Sequence, residues 1–253
     1  MLKQDRQKKI INLLSSSSTG HLATTTIAKQ LGVAAMTIRR DLKELSENGL
    51  LIRVYGGASL VTERTTTEKR ELQKKPKLEI GHKIADLINP KMTIYLGAGT
   101  TIFASLNFLP KDDMVQYITN SDLAFRYLVN KDIDVVLTGG SYHKTTNEFI
   151  GPVAENSLRN YVFDIAFIST NGIWENNVTT SHLSEGNVQQ SAISRSKKVY
   201  VVCDHTKFGK ADRFSFLSLD DVDGIITDSE ISSENLNHYK QFSNVIVGKK
   251  EHK

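Results

Sequence analysis

Residues 24–58 read Thr-Thr-Thr-Ile-Ala-Lys-Gln-Leu-Gly-Val-Ala-Ala-Met-Thr-Ile-Arg-Arg-Asp-Leu-Lys-Glu-Leu-Ser-Glu-Asn-Gly-Leu-Leu-Ile-Arg-Val-Tyr-Gly-Gly-Ala. This stretch predicts a helix, a tight turn, a second helix and a short hairpin. Thr24 is placed to cap the first helix, Ile27, Ala28 and Leu31 give it one apolar side, and Gly32 suits the left-handed position just past its end. In the second helix Ile38, Leu42 and Leu45 recur at i, i+4 and i+7. That stripe turns Met36, Arg40 and Lys43 to the opposite side, with Thr37 and Arg39 flanking them. One face packs and the other is basic.

Two helices joined by about three or four residues, the second with a cationic, hydroxyl-bearing outer face, form the unit whose second helix enters a DNA major groove. Arg39, Arg40 and Lys43 supply cations for guanine edges or phosphates, and Thr37 a hydroxyl that bonds either. The apolar run 50–54, interrupted by Arg53 and ended by Gly56-Gly57, reads as the strand and turn of a wing. Thr37, Arg39, Arg40, Lys43 and Arg53 are therefore the expected contacts to double-stranded DNA. Asp41 lies beside the apolar stripe and is expected to pair with a neighbouring base such as Arg53.

The segment Thr37-Ile-Arg-Arg-Asp-Leu42, followed by Gly49-Leu-Leu-Ile-Arg-Val-Tyr-Gly-Gly-Ala58, resembles the N-terminal signature of the DeoR family of bacterial transcriptional regulators. One position departs from the family pattern. Ala34 stands where a serine usually caps the recognition helix, and alanine at a cap costs about 1 kcal/mol.

Charge is distributed unevenly. The chain of 253 residues carries a formal +4. Residues 1–75 hold 14 Lys and Arg against 7 Asp and Glu, a net +7, and the remainder holds 18 against 21, a net −3. A phosphate-attracting segment joined to a mildly acidic remainder suits a DNA-tethered sensor better than a protein that wraps nucleic acid along its whole surface. The single cysteine, Cys203, excludes an internal disulfide framework, and its Val-Val-Cys context reads as a buried strand. The opening residues form an amphipathic helix rather than a secretory signal, and no apolar run approaches the roughly 18 residues of a membrane span. A soluble, cytoplasmic protein without membrane association is expected.

Beyond the wing, residues 59–77 lack apolar periodicity and read as a linker or irregular helix. This divides the chain into a winged helix-turn-helix over 1–58, a linker over 59–77 and a sensor domain over 78–253. In the last, short apolar strands alternate with helices. Strands are expected at 93–96, 115–119, 134–137, 163–169, 198–203, 224–227 and 244–247, with helices between them. The pattern is α/β with a mostly parallel sheet covered on both faces, a class that binds ligands beyond the C-terminal strand ends.

Polar residues collect at those ends. The first strand runs into Gly97-Ala-Gly-Thr-Thr101 and a helix, a glycine-lined turn with backbone N–H groups and hydroxyls suited to a phosphate monoester. Other strands end in Asn120-Ser-Asp, Thr138-Gly-Gly140, Thr170-Asn-Gly172 and Asp204-His-Thr-Lys-Phe-Gly209. Five such loops on one sheet edge point to a small phosphorylated ligand. These loops also resemble the DeoR effector domain, which is similar in fold to ribose-5-phosphate isomerase and glucosamine-6-phosphate deaminase and usually answers to sugar phosphates. The resemblance implies that Gly97, Gly99, Thr100 and Thr101 hold the phosphate. Asn120, Gly139 and Gly140 would line the sugar, Glu185 would face its hydroxyls, and Asp204 with Lys207 would close the site. Residues 179–189 and 204–209 look most like the branch of lactose phosphotransferase repressors, whose inducer is tagatose 6-phosphate.

No Asp-Gly-Ala-Asp segment and no lysine beside Gly139-Gly140 are found, so the catalytic acids of a sugar-phosphate isomerase are absent from this pattern. A binding protein is expected rather than an enzyme, with an isomerase or deaminase carrying a DNA-binding module, or a transcriptional activator, as the competing readings. The seven histidines show no helical i, i+4 pair and no His-x-His, so neither a metal site nor a cofactor is expected. Each winged helix makes few base contacts, which calls for a homodimer or larger assembly reading repeated half-sites.

Overall fold

The computed structural model describes residues 2–17, 21–47, 51–54, 56–60, 66–112 and 114–249. The chain forms two compact units, Met1–Arg64 and Thr65–Lys253. Gly49, Tyr55 and residues 61–65 of the expected linker lie outside the described residues.

The first unit contains helices α1 (Lys3–Ser16), α2 (Thr24–Leu31) and α3 (Ala35–Glu47) and strands β1 (His21–Ala23), β2 (Leu51–Val54) and β3 (Gly57–Leu60). The strands form one antiparallel sheet in the order β1-β3-β2, with Leu22 and Arg53 both opposite Ala58. The third strand, β1, is too short to show a period in sequence. Its core joins Ile10 and Leu14 of α1, Ile27 of α2, Ile38, Leu42 and Leu45 of α3, and Leu51 and Ala58 of the wing. Gly32 adopts the left-handed conformation past α2, with φ of 62°. Thr24 is not a cap. The N-cap is Ala23, and Thr24 is a buried first-turn residue whose N–H donates to Gly56 O at 2.9 Å.

Asp41 pairs with Arg6 rather than Arg53. Arg6 Nε and Nη2 reach its two carboxylate oxygens at 2.5 and 3.0 Å, a forked geometry. Lys3 and Gln7 add bonds of 2.7 and 3.1 Å to Glu44, so α1 is tied along the side of α3.

In the second unit α4 (Thr66–Glu71) and α5 (Lys74–Asp86) precede the sheet. Much of the stretch expected to be linker is thus helical. Its apolar period is hidden because α5 buries Pro76, Lys77 and Glu79 alongside Ile80 and Ile84. There follow β4 (Thr93–Leu96), α6 (Thr100–Ser105), β5 (Gln116–Thr119), α7 (Asp122–Val129), β6 (Val135–Leu137), β7 (Ser141–His143), β8 (Glu148–Ile150) and α8 (Pro152–Leu158). The remainder comprises β9 (Ile165–Ser169), β10 (Gly172–Trp174), β11 (Asn177–Thr180), α9 (Leu183–Ile193), β12 (Val199–Val202), β13 (Phe214–Ser218), β14 (Gly224–Thr227), α10 (Ser233–Tyr239) and β15 (Val245–Val247).

Seven strands pair in the order β15-β14-β12-β9-β4-β5-β6, and every pairing is parallel. Alternate residues face opposite layers. Ile94, Leu96, Phe167 and Val202 pack with Ile80 and Ile84 of α5, Ile102 of α6 and Leu128 of α7. Tyr95, Ala166, Ile168 and Val201 pack with Leu158 of α8, Val188 of α9 and Tyr239 of α10. The strands are apolar on both faces because both are covered. Two smaller sheets decorate the C-terminal edge region. One is the hairpin β7-β8, the other the antiparallel set β10-β11-β13, and neither is signalled by a run of alternating residues. Among the described residues no helix is long and apolar enough to cross a membrane.

Ile38 is fully buried in the centre of the first core. Ile38→Ala is expected to lower the stability of the first unit by about 2–5 kcal/mol, read by urea unfolding followed through an N-terminal probe.

Candidate functional site

The outward face of α3 is open to solvent. Met36 is 59% exposed, Arg39, Arg40 and Lys43 are exposed, and Thr37 is partly so. Arg53 projects exposed from β2 in the wing. The five residues expected to meet DNA therefore lie on accessible surface of one small unit, on a helix and a hairpin of the kind that carry groove and backbone contacts. Ala34 O accepts from the N–H groups of Thr37 and Ile38 at 2.9 and 3.2 Å, so the helix begins on backbone bonds without a capping hydroxyl.

In the second unit the parallel pairing brings all five polar loops to one edge. Within the glycine turn the N–H groups divide by role. Gly97 N–H donates to Phe167 O at 3.0 Å and Ala98 N–H to Asn120 Oδ1 at 3.1 Å. Among the described residues those of Gly99, Thr100 and Thr101 find no protein acceptor. The N–H groups left open in the turn are thus those of Gly99, Thr100 and Thr101. A side chain at Gly99 is excluded by the fold, since its Cβ would lie 2.6 Å from Ser169 Cβ. Helix α6 has only 6 residues, so first-turn N–H groups, rather than a long aligned dipole, are what it offers an anion.

Asn120 is fully buried, and its amide is completely engaged. Oδ1 accepts from Tyr95 Oη and Ala98 N–H, and Nδ2 donates to Glu148 Oε2 at 2.9 Å and Phe149 O at 3.2 Å. No donor or lone pair is left for a sugar hydroxyl. Asn120 shapes the wall instead of lining it, tying the glycine turn to β5 and β8. Gly139 and Gly140, both at positive φ, form the turn after β6 that leads into the hairpin.

Lysines that the sequence pattern did not single out complete the edge. Lys77 of α5 is 4% exposed, and its ammonium donates to Lys69 O at 2.6 Å and Leu72 O at 2.7 Å. Burial pushes its pKa down to about 8, the nearby Asp204 opposes that shift, and the charges of Lys207 and Lys69 add to it. Lys207 is shifted downward as well, first by burial and then, against the pull of Asp204, by Lys69. Lys69 of α4 reaches Asn171 Oδ1 at 3.4 Å. Asp204 is buried and accepts from Thr206 N–H and Oγ1. Lys77 and Lys207 thus lie in the field of one carboxylate, with Lys69 near enough to both to oppose their charge. Like charges held this close raise one another's free energy, and an anion between them relieves that cost.

Helix α4 lies over this edge. Thr66 Oγ1 donates to Thr146 O at 2.7 Å in the hairpin turn, and the Arg70 guanidinium stands 4.2 Å above the Phe103 ring of α6. Glu185, in the first turn of α9, is buried, accepts from Thr180 Oγ1 at 2.8 Å and meets His143 Nδ1 at 3.2 Å. Burial, and then the charge of Glu185, raise the Glu148 carboxyl well above the ordinary carboxylate range. Cys203 is buried, as its Val-Val-Cys context leads one to expect, just past the end of β12.

A cationic helix-turn-helix with a wing, joined in one chain to a parallel-sheet unit with an anion-attracting edge, defines a ligand-responsive DNA-binding regulator. Residues 6–64 match the DeoR-like helix-turn-helix domain and residues 72–229 the DeoR C terminal sensor domain. The chain belongs to the DeoR family of transcriptional regulators. It is 35% identical over 254 residues to the lactose phosphotransferase system repressor of Lactococcus lactis subsp. lactis, covering 97% of this chain and 99% of that one. It is 31% identical to the HTH-type transcriptional regulator GlpR of Haloferax volcanii, covering 92% and 93%. Among solved structures, ribose 5 phosphate isomerase A from Neisseria gonorrhoeae is similar over 56% of each chain, with a TM-score of 0.41 and 16% identity. So distant a likeness carries no argument about function.

Because four hydrogen bonds converge on one buried amide, Asn120→Ala is expected to destabilise the second unit by about 1–3 kcal/mol for each buried partner left unsatisfied. Denaturant unfolding of the full chain measures it.

Proposed function

We propose that this protein represses a carbohydrate-utilisation operon and leaves its operator when a sugar phosphate fills the edge of the second unit. The observation that carries the reading is the convergence of Lys69, Lys77 and Lys207 on the strand-end loops that also hold Gly99-Thr100-Thr101. Three ammonium groups and three open N–H groups match a phosphate dianion, and the hairpin and α9 supply oxygens for sugar hydroxyls. The similarity to the Lactococcus lactis lactose phosphotransferase system repressor supports a carbohydrate operon as the target, and tagatose 6-phosphate, implied by the resemblance of residues 179–189 and 204–209, is the first effector to test.

The action is binding rather than turnover. Glu148 and Glu185 are held by Asn120 and Thr180, and ribose 5-phosphate and glucosamine 6-phosphate are expected to remain unchanged on incubation with the protein. The protein works in the cytoplasm as a homodimer or larger homo-oligomer, since one winged helix reads too few bases for useful specificity. Helix α4 is the first element of the second unit in chain order and bears Lys69, so ligand held by Lys69 acts on the segment that leads back to the DNA reader. An effector preferring the released state by about 2.7 kcal/mol weakens operator binding roughly a hundredfold.

Gel-shift titration separates the two halves of this reading. Arg39→Ala and Arg40→Ala should weaken operator binding while leaving the stabilisation by sugar phosphate intact. Thr100→Ala, Lys77→Met and Lys207→Ala should keep operator binding and abolish release. A Thr100→Ala protein that responds normally would refute phosphate binding at the glycine turn.

Lys77 also sets a pH dependence. Bound phosphate favours its charged form, so effector affinity should be greatest below pH 8 and decline as pH rises through about 8, where the free site loses that proton. Calorimetric titration of the full chain between pH 7 and pH 9 reads the slope, which Lys77→Met should flatten.

A further inference from the structure

His143, Glu148 and Glu185 are separated in sequence yet converge in the fold. His143 and Glu148 are opposite partners across the β7-β8 hairpin, so their side chains leave the same face of the ribbon. Glu185 arrives from the first turn of α9, its Oε2 fixed by Thr180 Oγ1 and its Oε1 3.2 Å from His143 Nδ1. The carboxyls of Glu148 and Glu185 are close enough for the charge of the second to raise the pKa of the first. One donor atom from each of the three residues lies within 4.8 Å of the other two. We propose that these three side chains bind a single first-row divalent transition-metal ion, of the class of Zn²⁺ or Mn²⁺.

Two independent features point to a cation as the ligand. The first is charge. Two carboxyls only 5% exposed face each other, and among the described residues His143 is the one basic group in ion-pair contact with them. Buried carboxylates at this separation are stable only with a cation or a proton between them. The second is the support behind both carboxylates. Asn120 Nδ2 holds Glu148 Oε2 and Thr180 Oγ1 holds Glu185 Oε2. Side chains oriented from behind in this way are what a metal site requires. The His143 side chain is 25% exposed, which leaves an entry path, and the exposed His182 ring lies 5.1 Å from it as a further nitrogen within reach.

A mixed nitrogen and carboxylate donor set favours zinc or manganese over magnesium or calcium, which prefer all-oxygen cages. A second group, His205, Asp228 and Glu230, makes a useful contrast. Its donor atoms also lie within 4.8 Å of one another, but Glu230 is exposed and the two ring nitrogens face different carboxylates, at 2.8 and 3.7 Å.

This inference does not rest on the effector reading, and its probe is the metal alone. The full-length protein is stripped with chelator, desalted and titrated with Zn²⁺ by calorimetry, with elemental analysis after dialysis. One ion per chain is expected, with affinity reduced about 100-fold or more in Glu148→Gln and in His143→Gln and unchanged in Glu230→Gln. With Mn²⁺, electron spin-echo modulation should show a coordinated imidazole nitrogen in the wild type that His143→Gln loses. Binding well below one ion per chain, or binding and nitrogen modulation that persist in His143→Gln, would overturn the proposal. His143 is partly exposed, so that variant decides the matter even if Glu148→Gln fails to fold.

Discussion

All seven strands of the central sheet run in one direction, and the architecture of the second unit follows from that constraint. Parallel neighbours require a crossover between them; every connection but that from β12 to β14, which runs through β13, carries an α-helix, and the helices bury both sheet faces. With both faces closed, chemistry is confined to the edges. The C-terminal edge receives the loops after β4, β5, β6, β9 and β12, whatever their order in sequence. The Asn120 amide then fixes that edge, because its four bonds join the end of β4 to β5 and β8 in one buried contact.

Upon this frame the fold holds groups that repel one another. Lys69, Lys77 and Lys207 stand near a single buried Asp204, and farther along the edge Glu148 faces Glu185. Neither arrangement would persist in a flexible chain. The packing of α4 and α5, with the Lys77 ammonium bound to two carbonyl oxygens, keeps the cations in place.

The first unit solves a different problem, which is to keep cationic side chains in solvent on a helix whose other side is core. The forked Arg6–Asp41 pair and the Lys3 and Gln7 bonds to Glu44 lock α1 along α3. Asp41 is thereby drawn to Arg6, away from Arg39 and Arg40, which remain on the exposed face. The missing capping hydroxyl at Ala34 is tolerated because Ile38, Leu42 and Leu45 anchor the helix through the core.

The amino-acid sequence alone determined what depends on neighbours within a few residues. The Ile38-Leu42-Leu45 stripe, the left-handed Gly32, the bounds of Thr93–Leu96 and Gly224–Thr227, and the parallel α/β class all arise from local periodicity and turn chemistry. Only the tertiary structure decided which distant polar groups meet. Arg6 finds Asp41 across 35 positions, Asn120 takes up every bond its amide has, and Lys69 and Lys77 emerge from an expected linker to join Lys207. The histidine spacing led to the expectation of no metal site, because it does not show that His143 meets Glu148 through hairpin register and Glu185 through a helix 42 residues away. The physical reason is common to these cases: apolar periodicity records which face of an element is buried, whereas a polar side chain carries no sequence trace of the partner that folding brings to it.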